Sequence, residues 1–82
     1  MKLYGYYLAV NQNNVNGNGL DTIRACYHKS EQYRQEDVKE IREDIHNPFA
    51  EIYFLPVKGW EEAKDMNRGQ FVDFVRKNGK SY

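Results

Sequence analysis

The chain has 82 residues and carries 12 Lys plus Arg against 12 Asp plus Glu, so no net field steers it toward nucleic acid or an anionic membrane. A chain of this length reads as one compact domain, residues 1–82, that buries roughly 60% of its unfolded surface and has little stability to spare for an elaborate active site. Its single cysteine, Cys26, excludes an internal disulfide; with no signal-peptide pattern and no run near the ~20 apolar residues that span a bilayer, the expectation is a cytoplasmic protein with no membrane partner.

Lys2 to Val10 (KLYGYYLAV) is rich in residues that suit a pleated surface and reads as a strand. Asn11 to Gly19 holds two Asn-Gly pairs, which favour tight turns. Strand-like alternation resumes from Leu20 to about His28, predicting a hairpin with a long connection. Between Ser30 and His46 the pattern turns helical: Val38, Ile41 and Ile45 form one narrow apolar stripe on an otherwise charged helix that ends at Asn47-Pro48. Phe49 to Val57 (FAEIYFLPV) is the most apolar stretch and reads as the central strand, with Pro56 near its end. Trp60 to Met66 has the length of a helical turn. Asn67 and Gln70 have the spacing of a capping box that opens a helix with Phe71, Phe74 and Val75 on one face; Gly79 supplies a left-handed cap at its end.

The order strand, strand, helix, strand, helix predicts a small two-layer α+β sandwich, a three-stranded sheet with both helices on one face and the other face open. If the second and third strands are parallel, the acidic helix forms a crossover between them.

Catalytic chemistry finds little support. Cys26 and His28 sit two apart on a strand, separated by about twice the ~3.3 Å rise, too far for a nucleophile and base in hydrogen-bond reach. Glu43-x-x-His46 has the spacing of half a di-metal site, but the second half is missing, and two histidines with one cysteine fall short of a zinc site. No phosphate-binding glycine loop or nucleophile elbow occurs. The expectation is no enzyme, no cofactor and no metal.

Leu3-Tyr4-Gly5-Tyr6-Tyr7-Leu8 resembles the shorter signature of the RNA recognition motif family, and Phe49, Ala50, Ile52 and Phe54 resemble four positions of its longer one. That resemblance implies base stacking on Tyr4 and Phe49. Asn47 and Pro48 replace the family's basic residue and glycine, Glu51 replaces an aromatic, and the order of elements differs.

The polar member of each strand orients it: Lys2 assigns Tyr4 and Tyr6 to the open face, Arg24 assigns Cys26 and His28, and Glu51 assigns Tyr53. Ile23, Ala25, Tyr27, Ile52 and Phe54 then lie under the helices. The predicted partner-binding face carries Tyr4, Tyr6, Arg24, His28 and Tyr53, since Tyr and Arg dominate interface hot spots. This predicts a small non-enzymatic protein that docks on another protein, as an inhibitor or accessory protein of phage or mobile-element type. The alternative is an RNA- or single-stranded-DNA-binding module using the same tyrosines. A homodimer surface and docking through the acidic helix 35–46 are further readings.

Overall fold

The computed structural model describes residues 1–10 and 20–82; the predicted connection from Asn11 to Gly19 lies outside the described residues. The elements are β1 (Gly5–Val10), β2 (Leu20–Cys26), α1 (Glu31–Asp44), β3 (Glu51–Pro56), α2 (Val57–Ala63), α3 (Arg68–Asn78) and β4 (Lys80–Ser81). The class is α+β, as the order of patterns predicts. Among the described residues the sheet, however, has four strands in the order β2-β1-β3-β4, each antiparallel to its neighbour. β2 and β3 both run against β1 and so are parallel to each other, with β1 between them, and α1 crosses from one to the other. β4, two residues directly after Gly79, is too short to leave a period in the sequence.

The predicted open face does not exist as drawn, because helices cover both sides of the two inner strands. On one side Val38 and Ile41 of α1 pack with Tyr7, Ala9, Cys26, Ile52 and Phe54. On the other, Ala63 of α2 and Phe71 and Val75 of α3 pack with Leu8, Val10 and Leu55. Four consecutive β1 residues, Tyr7 to Val10, are therefore buried whichever way they point. That is the physical meaning of the unbroken apolar runs in β1 and β3: a strand covered on both faces does not alternate. Phe71 and Phe74 accordingly belong to the opposite layer from Val38 and Ile41, not to a shared one.

Local signals hold well. The Asn67 side chain accepts from the Gln70 backbone N–H at 2.9 Å, and the Gln70 side chain accepts from the Asn67 N–H at 3.4 Å, which completes the capping box. α1 begins at Glu31 with Ser30 as its N-cap, where the helical pattern starts, and Glu36 and Asp37 lie mid-helix. It closes with His46 in the left-handed region at φ 56; the His46 N–H bonds the Glu43 carbonyl and the Asn47 N–H the Arg42 carbonyl, a Schellman arrangement. Gly79 does not supply a left-handed cap: its φ is −79. Its need for glycine is steric, since a Cβ there would lie 2.6 Å from the Val75 carbonyl oxygen. α2 starts directly after Pro56, three residues before the predicted turn, and Gly59 lets it sit against Leu55, whose side chain would be 2.9 Å from an added Cβ.

Candidate functional site

The five predicted partner-binding residues fall on both faces of the sheet. Tyr4 packs against the α1-side cluster, its ring flanked by the Lys2 ammonium at 5.2 Å and the Arg34 guanidinium at 5.9 Å. Tyr6 is half-buried on the other side, with its ring 4.7 Å from that of Trp60 in α2. Arg24 pairs with Asp44 of α1 at 2.8 Å. Tyr53 packs on the α3-side cluster and donates to Glu51, which Arg76 of α3 holds through two bonds of 2.9 and 3.2 Å. That bond to Glu51, with burial second, raises the Tyr53 phenol above its ordinary pKa. Only His28 and its surroundings remain open. The orientation rule failed for one reason: Arg24 and Glu51 point at helices that carry the matching charge, so a polar residue did not mark a solvent-facing side.

β2 is in fact inverted relative to expectation. Cys26 is fully buried under α1, whereas Ile23 and Tyr27, assigned to the helix-covered side, are 42% and 45% exposed. The Cys26 thiol donates to the Tyr7 hydroxyl at 3.1 Å, and the Tyr7 hydroxyl donates to the Asp37 carboxylate at 2.7 Å. His28 Nε2 lies 3.8 Å from the other Asp37 oxygen. Burial, followed by the bonds to Cys26 and Asp37, pushes the Tyr7 phenol far above its ordinary value and keeps it protonated. This chain of groups joins β1, β2 and α1. It is not a nucleophile with its base: the thiol is enclosed, and its second contact is the His28 carbonyl at 3.4 Å, not the His28 ring.

Among the described residues no three metal-ligating side chains gather, and His46 has already left the helical path that would align it with Glu43. No helix among the described residues is long and apolar enough to cross a membrane. The two stacking positions implied by the RNA-recognition resemblance are separated by topology: Tyr4 precedes β1 and Phe49 precedes β3, and these strands are antiparallel. Six residues at about 3.3 Å each put them roughly 20 Å apart, and the Tyr4 ring is already engaged by two cations.

What does gather is a surface at the Cys26 end of β2. Tyr27 and Tyr33 are 45% and 53% exposed there, and the His28 and Tyr33 rings lie 5.4 Å apart. Ile23 is exposed four residues back along β2, on the side of the strand away from α1. Arg34 fastens it from beneath, donating to the His28 carbonyl at 2.7 Å while its guanidinium lies 4.1 Å from the centre of the Phe54 ring. Lys29 is exposed next to His28 along the chain, and Lys2 lies over the Tyr4 ring, whose backbone N–H bonds the Cys26 carbonyl. Sequence reasoning found His28 and missed Tyr27, Tyr33 and Lys29. Tyr33 had a signal, since it lies off the Val38/Ile41/Ile45 stripe; Tyr27 had none, because its alternation is equally consistent with either face. No protein-family model matches the chain, and neither a curated protein nor a solved structure matches it.

Proposed function

We propose that this is a small non-enzymatic docking protein, and that it binds another protein through the surface around Tyr27, His28 and Tyr33, acting as an inhibitor or accessory factor by occupancy. One observation carries the reading. Among the described residues five large hydrophobics are substantially exposed, and two of them, Tyr27 and Tyr33, flank His28 at the β2–α1 corner, with Ile23 four residues back along the same edge strand. Isolated exposed apolar residues need no explanation, whereas a group of them with aromatic members resembles the centre of an interface. The surface is also pre-organised: the buried thiol, phenol and carboxylate chain and the Arg34 bond fix the β2–α1 corner, which lowers the ordering cost of association.

The test is site-specific photo-crosslinking in the native host with a benzophenone residue at position 27, 33 or, as control, 74. A common adduct from positions 27 and 33 and none from 74 is expected. In the isolated complex, Tyr27→Ala or Tyr33→Ala then weakens binding by about 2 kcal/mol, roughly 30-fold, and alters stability by no more than about 0.5 kcal/mol. Adducts equally strong from all three positions would sink the reading.

A further inference from the structure

Resting on that docking surface, we infer that the segment of the partner protein received there is extended in conformation and acidic in composition. The conformation follows from the sheet. β2 pairs with β1 on one side only, and among the described residues nothing pairs with its outer edge, so its outward N–H and C=O groups stand ready to accept another strand. The opposite edge of the sheet, β4, has two residues and offers no comparable length. A strand laid along β2 would pass Ile23 and Tyr27 and reach the corner where His28 and Tyr33 lie.

The acidic composition follows from which charges at that corner are already matched. Lys2, Lys29 and Arg34 form no ion pair among the described residues. Arg34 touches a carbonyl and two rings, and Lys2 touches a ring. Of the nearby carboxylates, Asp37 accepts from Tyr7 and faces His28, Glu31 is held by Lys80 at 2.6 Å and by the Tyr82 hydroxyl at 3.1 Å with the Arg34 charge also close, and Glu36 alone, exposed on α1, stands against the three basic groups without an ion pair among the described residues. The Lys80 bond, with that of Tyr82, draws the Glu31 carboxyl below the ordinary glutamate value. Ser30 makes no side-chain cap bond, so the positive end of the α1 dipole adds to the same surplus. The corner is thus positive in a molecule of zero net charge, and carboxylates at the end of an added strand nearest Lys29 would meet it.

The experiment uses the whole protein and three labelled peptides of about ten residues, the length of a generous strand: alternating Val and Glu, the same with Lys for Glu, and the Glu peptide N-methylated at alternate amides. Anisotropy at low salt is expected to show the acidic peptide binding about ten-fold or more tightly than the lysine peptide, with a gap that narrows as salt rises. N-methylation on the pairing edge should abolish binding, and Lys2→Glu with Lys29→Glu should reverse the preference. Amide shifts should concentrate in residues 23–29. Absence of acidic-peptide binding, insensitivity to the charge reversal, or tighter binding of an oligothymidylate would overturn the inference. The crosslinking test separates the two readings. Adducts from positions 27 and 33 that persist unchanged in the Lys2→Glu, Lys29→Glu protein would leave docking standing and remove the acidic partner; loss of position dependence would remove docking itself.

Discussion

Tyr7 and Leu8 are consecutive in β1, are both buried to 1% or less, and point to opposite faces of the sheet. Leu8 meets a wholly apolar layer of Leu55, Ala63, Phe71 and Val75, with the Trp60 ring edge-on to Phe71 at 5.7 Å. Tyr7 meets an apolar layer threaded by polar bonds, with its own hydroxyl between Cys26 and Asp37, and Arg24 pairing with Asp44 nearby. The interior of the α2/α3 layer is held by contact area, which is strong and tolerant of exchange among similar shapes, with its directional bonds, Tyr53 to Glu51 and Arg76 to Glu51, at the rim. The α1 layer adds directional bonds that specify how one helix and the end of β2 sit, and that is the layer bordering the proposed docking surface. Area stabilises the fold; the bonds position the corner.

The largest effect expected from this contrast is at Leu8. Leu8→Ala should cost about 3 kcal/mol, within the usual span for a cavity in a packed core, as read by urea denaturation. Tyr7→Phe keeps the ring and removes only the hydroxyl, so it should cost about 1–2 kcal/mol by losing the bond to Asp37 and leaving the enclosed Cys26 thiol only the longer contact to the His28 carbonyl. It should also broaden the amide resonances of residues 26–29, which Leu8→Ala should leave sharp. Equal costs for the two, or a neutral Tyr7→Phe, would erase the distinction between the layers.

The same hydroxyl makes a pH prediction. The Tyr7 phenol is raised in the folded state from 10.0, so below pH 10 both folded and unfolded states hold the proton and stability is unaffected. Above pH 10 the unfolded chain releases it while the folded chain does not, and stability falls as pH rises further. Tyrosine absorbance should therefore show one phenol that ionises only together with loss of near-ultraviolet dichroism. Its titration in the still-folded protein would mean that the α1 layer is open to solvent. The smallest change is expected at the far end of α1, where His46 occupies the left-handed position that glycine favours. His46→Gly should raise stability by roughly 0.5–1 kcal/mol, the relief of one such non-glycine residue less the added chain entropy, visible as a higher thermal midpoint. Destabilisation instead would indicate that the His46 ring itself holds the α1–β3 junction.

Short-range chemistry was legible in the sequence because its causes are local. The Asn67–Gln70 capping box, the stop at Asn47-Pro48, the Val38/Ile41/Ile45 stripe and the position of Pro56 at the end of β3 all depend on residues within about one helical turn or a few strand positions. The class followed from the order of those patterns. Which side of each strand is covered did not, because that depends on which helix arrives and with what charge. Arg24 reads as solvent-facing until Asp44 lies opposite it, and Glu51 until Arg76 does. β4 was invisible because two residues hold no period, and it exists only because the close approach of Gly79 to Val75 turns the chain onto β3. Tyr27 became a surface residue only when α2 and α3 packed on β1 and β3 and left β2 at the edge. The sequence by itself determined three of the strands, the two longer helices and the absence of a recognisable catalytic motif; tertiary structure decided β4, the start of α2 and the faces, since the burial of a side chain is a property of everything packed against it.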